Sequence, residues 1–182
     1  MKKAVVILVI ILAIVSIFYL VKNNNTDKKI TTPVSQDNNF KPDPSNATFN
    51  FTDGPITLSN GAKERKIVPD SNLVEEIALL ENIAYGDINN DGKIDTATLL
   101  VRFGGGSGTF IYAGAFVSGP VNYKGTNTIF VGDRIKPQSI SINNGVIVVK
   151  YLDRGADQAF SEEPTIQKTL EIIYSDGELK EQ

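Results

Sequence analysis

Between residues 86 and 98 the chain reads G-DINNDGKID-TAT, a stretch in which oxygen donors recur at alternate positions. Asp87, Asn89, Asp91 and Asp95 fall at positions 1, 3, 5 and 9 of a calcium-type loop. Gly92 falls at position 6, where such a loop must turn sharply. Oxygens spaced in this way can converge on one hard cation, and the carbonyl of Lys93 at position 7 would add a further donor. Position 12 carries a bidentate Glu in an EF-hand and Thr98 here, so the expected Ca2+ affinity is modest. The same residues also suit a plain Asx-rich turn closed by its own hydrogen bonds, as at Asp53-Gly54, Asn60-Gly61, Asn144-Gly145 and Asp176-Gly177.

Little other chemistry is open to this sequence. It contains no His and no Cys, which excludes triad catalysis, imidazole-ligated zinc and thiolate nucleophiles. No S-x-x-K motif is present, so a serine–lysine nucleophile has no support. No catalytic residue is assigned, and a carboxylate-based hydrolase stays as the alternative to a binding role. Asp133-Arg134 and Asp153-Arg154 are paired charges beside apolar runs. They suit either a shared ligand groove or loop-to-loop ion pairs. The run 104–108, GGGSG, reads as a hairpin connection, because it precedes a strand and lacks the helix that a phosphate loop requires. A binding module would expose an aromatic patch, with Phe110, Tyr112, Phe116 and Tyr123 as the candidates.

The elements that must position these residues fall into three stretches. Residues 4–21, AVVILVIILAIVSIFYLV, are uncharged and apolar. A helix of that length reaches roughly 27 Å, close to the ~30 Å bilayer core. The apolar run exceeds that of a signal peptide, and no small-residue cleavage site follows it, so an uncleaved anchor is expected. Residues 22–47 are rich in Asn, Asp, Lys and Pro and read as a flexible linker. From residue 48 short apolar runs alternate with Asx-Gly turns. Residues 138–142 and 146–152 predict a β-hairpin, and further strands are expected at 56–58, 66–68, 96–103, 109–117, 128–131 and 165–174. In 96–103, Ala97, Leu99, Val101 and Phe103 share one face, with Thr98 and Arg102 opposite. Residues 73–85 read as strand, although Leu73, Ile77, Leu80 and Ala84 also mark a helical face. Residues 1–44 hold six Lys and three Asp, a balance of +3, so the remaining residues carry 12 basic and 18 acidic groups, a balance of −6. An acidic body without a basic stripe argues against a nucleic-acid partner.

The 87–95 loop is similar to the calcium loops of FG-GAP (integrin-alpha propeller) repeats, in which D-x-[DN]-x-D-G-x-x-D joins two strands. That resemblance implies side-chain oxygens from Asp87, Asn89, Asp91 and Asp95 and a carbonyl from Lys93. A longer series, NATFNF, ITLSNG, GDINNDGKIDTATLL, GGSGTFIY, GTNTIFVGDRI and PQSISINNGVIVVKYLDR, resembles a family of exported bacterial proteins of unassigned function. Members carry a secretion signal or lipoprotein anchor, which implies export and one β-rich unit.

The expectation is a single-pass membrane protein. Residues 1–3 form a cytoplasmic flank, 4–21 a transmembrane helix, 22–47 a linker and 48–182 an extracytoplasmic domain. The domain is expected to be mainly β, a single antiparallel β-sandwich-like unit, with an α+β form carrying one short helix as the variant. Its expected partners are the membrane, one calcium ion and a cell-envelope protein or polysaccharide.

Overall fold

Strands form where apolar residues recur at every second position, and a sheet that is apolar on both faces needs a partner on each side. The computed structural model describes residues 40–70 and 72–182; the expected anchor and most of the expected linker lie outside the described residues. Among the described residues no helix is long and apolar enough to cross a membrane. The strands are β1 (Thr48–Phe51), β2 (Gly54–Thr57), β3 (Ala62–Lys66), β4 (Val74–Gly86), β5 (Asp95–Gly104) and β6 (Thr109–Ser118). They continue with β7 (Tyr123–Gly125), β8 (Ile129–Asp133), β9 (Lys136–Asn143), β10 (Val146–Asp153), β11 (Ile166–Ser175) and β12 (Glu178–Glu181).

A six-stranded sheet runs β3-β4-β5-β6-β7, with β8 sharing the outer edge of β6, and a four-stranded sheet runs β12-β11-β10-β9. All strand pairs are antiparallel. Ala97, Leu99, Ala113, Ala115 and Val117 of the larger sheet meet Ile147, Val149, Ile172 and Leu179 of the smaller one in the main core. The hairpin β1–β2 forms a third layer. Its Phe49, Phe51 and Ile56 pack on Ile77 and Leu100. Leu99 and Leu100 are neighbours in sequence that serve opposite layers, which is the strand period at work.

Residues 74–86 are strand, not helix. The mixed periodicity has a physical origin: the pairing of β4 with β5 shifts register between Leu79 and Ile83, so the face reading changes partway along. Among the described residues the short helix of the α+β variant is not found, and the helical segment seen is a 3₁₀ turn at Pro44–Asn46, capped by the Asp43 carboxylate accepting from Ser45 N at 2.9 Å. The strand expected at 66–68 lies earlier, at Ala62–Lys66, where Arg65 and Lys66 pair with β4. The packed unit also begins before residue 48. Pro42 and Pro44 are buried, the Thr96 hydroxyl donates to the Pro42 carbonyl at 2.5 Å, and Phe40 lies 5.7 Å from the Tyr123 ring.

Candidate functional site

The loop with the metal-type spacing joins the end of β4 to the start of β5. Asp87 accepts from Asp91 N at 3.2 Å and Gly92 N at 2.8 Å, Asn89 Oδ1 accepts from Asp91 N at 3.2 Å, and Asp91 Oδ1 accepts from Lys93 N at 2.9 Å. Gly92 turns the chain at φ +80°, a conformation that glycine adopts at no steric cost. Burial works against ionisation of Asp91. The Ser118 hydroxyl and the Lys93 amide outweigh it and hold its carboxyl below the ordinary range. Asp95 is fully buried. Its two oxygens accept from Ile88 N at 2.9 Å and Ser118 N at 2.8 Å, and burial pushes its carboxyl up despite those amides.

The structure thus brings Asp87, Asn89 and Asp91 into one set of Asx turns around Lys93 and commits Asp95 to closing the loop from within. The donors suit a hard cation in type. In this arrangement backbone N–H groups, the Ser118 hydroxyl and the Lys93 ammonium, 3.8 Å from Asp91, supply the positive charge that their oxygens face. Among the described residues no group of three or more acidic side chains gathers closely enough to hold a metal.

Asp133, Arg134, Asp153 and Arg154 are brought together as a clasp between loops. Arg154 Nη1 donates to the Arg134 carbonyl at 2.6 Å, and both guanidinium groups lie over the Phe160 ring, at 4.0 and 6.0 Å. Their carboxylates are already engaged: Asp133 accepts from Thr109 N and Arg134, and Asp153 accepts from Arg154 N and Lys168. The GGGSG run connects β5 to β6 as a hairpin, as expected.

A groove lies elsewhere, on the outer face of the six-stranded sheet. The β1–β2 hairpin packs on part of that face. The groove beside it measures about 870 Å³, within the ~300–1,000 Å³ of ordinary ligand sites. At its floor sit Arg65 from β3, Glu75 from β4 and Arg102 from β5, with Asp53 of the hairpin tip at the wall. Arg102 pairs with the Asp53 carboxylate through both Nη atoms, at 2.8 and 2.7 Å, and donates from Nε to Glu75 at 2.5 Å. Arg65 donates to the same two carboxylates. The hydrogen bond from Arg102, with that from Arg65, holds the Asp53 carboxyl far below the usual carboxylate range. Glu75 is buried, and its two oxygens each receive a different guanidinium.

Along the other side runs an aromatic wall. Tyr112 on β6 is the cross-strand partner of Phe130 on β8, with ring centroids 5.5 Å apart, and Phe110 lies 6.4 Å from Phe130. Phe110 and Tyr112 belong to the patch anticipated from sequence. Phe116 and Tyr123 pair with each other at 5.4 Å, outside this groove, because Phe49 of the hairpin lies over Gly114 between Tyr112 and Phe116.

The charge quartet was not anticipated. Asp53 read as a turn residue, and only Arg102 had been placed on the correct strand face. No family model, curated protein or solved structure matches this chain.

Proposed function

We propose that the chain is a non-catalytic ligand-binding module of the cell envelope, held at the membrane by residues 4–21 with its β domain outside the cytoplasm. The groove carries this reading, because it joins exposed aromatic rings to a fixed and fully compensated set of charges. Preformed concavity with a few oriented polar groups is the ordinary form of a binding site. The uncharged N-terminal run and the resemblance to exported proteins support the location.

A calcium ion is part of the same proposal. Asp87, Asn89, Asp91 and the Lys93 carbonyl would hold it, and it would supply the positive charge that backbone amides now provide. The hydrolase alternative is weaker. A carboxyl acting as general acid near neutrality needs a raised pKa, and Asp53 is lowered by its arginine partners. Glu75 has both oxygens bound to guanidinium groups.

Hydrogen exchange on the full chain in lipid nanodiscs, with and without bacterial envelope fragments, tests the reading. Slower exchange confined to β6 and β8, abolished in a Phe110→Ala/Phe130→Ala double variant, is expected. Unchanged exchange would defeat the binding role, and turnover of the fragments lost in Glu75→Gln would replace it with the hydrolase.

A further inference from the structure

Resting on the groove as a binding surface, we infer that its ligand is a neutral carbohydrate chain. The quartet of Asp53, Glu75, Arg65 and Arg102 sums to zero charge, and its members pair with one another, while Lys66 is the one further charge that lines the groove. An anionic ligand that reached past Lys66 to the floor would have to displace Asp53 from Arg102 while meeting the repulsion of Glu75. A purely apolar peptide face would strip water from four charges without replacing their hydrogen bonds. A sugar ring matches both halves of the surface. Its C–H face lies on an aromatic ring, and its hydroxyl groups both donate to carboxylates and accept from guanidinium N–H groups.

The geometry supports each half. The chain has no Trp, so Phe and Tyr must supply the stacking surface. Phe130 is 49% exposed and Phe110 36% exposed. The Phe110 ring lies on Gly108, where an added Cβ would stand 2.4 Å from the ring, so its face is held in place. Phe51 meets Tyr112 edge-on at 5.0 Å, and Arg102 lies over the Phe51 ring at 5.5 Å, so the aromatic wall and the charged floor are continuous. Arg65 and Lys66 line the rim of the groove and bring N–H donors to it.

The experiment titrates the full chain, in phosphocholine micelles and not glycoside detergent, with three probes. These are neutral cello-, manno- and chito-oligosaccharides, an anionic oligogalacturonate, and an acidic peptide. Calorimetry and the ring proton resonances of Phe and Tyr are followed together. At least one neutral oligosaccharide should bind and shift the Phe110, Tyr112 and Phe130 signals. Phe130→Ala, at a half-exposed position, should weaken that binding at least tenfold while the melting curve stays cooperative. Binding at these rings by the oligogalacturonate or the peptide alone would overturn the assignment to a neutral carbohydrate and leave the binding role standing. If neither these probes nor envelope fragments touch the groove, both readings fail.

Discussion

At the scale of single residues, the charge quartet sets how the domain responds to acid. Asp53 is held below the ordinary carboxylate range chiefly by its hydrogen bond to Arg102. Asp133 is held low by Arg134, and Asp153 by Lys168. In the unfolded chain these groups titrate near 3.9. Because each folded pKa lies below that value, the stability they contribute is complete above about pH 5 and drains away as the pH falls through the folded pKa. Denaturant melts between pH 2.5 and 7 should therefore show a plateau and then a fall below about pH 4. Asp53→Asn should lower the plateau by roughly 1 kcal/mol or less, since the Asp53 side chain is 40% exposed, and should flatten the acid limb. An acid limb as steep as that of the parent would show that Asp53 is not among its causes.

At the scale of elements, the hairpins were legible and the edges were not. Ser139, Ile140, Ser141 and Ile142 alternate cleanly, and Asn144-Gly145 closes β9 on β10 with both residues at positive φ. Edge strand β3, AKERK, has no apolar alternation at all, because a charged edge protects a sheet from further pairing and erases the pattern that reveals a strand. The groove was hidden for a related reason. Asp53 and Arg102 stand 49 residues apart, and only the packing of the β1–β2 turn against β5 places them together. One glycine ties the β4–β5 register to the groove. Gly104 sits at φ +136°, and an added Cβ would lie 2.5 Å from the Val74 carbonyl and Glu75 Cα. Gly104→Ala should cost about 2 kcal/mol or more, through both strain and backbone contact. Gly106→Ala, with nothing within 4 Å of its added Cβ, should stay within about 0.5 kcal/mol. Equal melting curves for the two variants would remove the close approach from the account.

At the scale of the whole molecule, the 87–95 loop lies where separate parts of the fold meet. It links β4 to β5, Lys93 Nζ reaches the Gly119 carbonyl at 3.2 Å, the Tyr123 hydroxyl donates to Ile94 O at 2.8 Å, and Gly145 of the β9–β10 turn approaches the Asp87 carbonyl. A ligand here would therefore act on global unfolding and not on one loop alone. With an affinity of ~10⁻⁴–10⁻³ M, calcium at ten times its dissociation constant adds roughly RT ln 11, about 1.4 kcal/mol, if it binds only the folded state. That corresponds to a rise in Tm of roughly 3–7 °C for a domain of this size. Two substitutions separate a cation site from a plain turn. Asp91→Ala should abolish the difference between calcium and chelator. Asp95→Asn turns an amide NH2 toward backbone donors at a fully buried position, and should cost roughly 2–3 kcal/mol in calcium and chelator alike. Magnesium should substitute poorly, because its smaller octahedral shell tolerates less irregular geometry. A parent Tm identical in excess calcium and in chelator, with Asp95→Asn still destabilising, would leave the loop as an Asx turn whose oxygens are filled by the backbone itself.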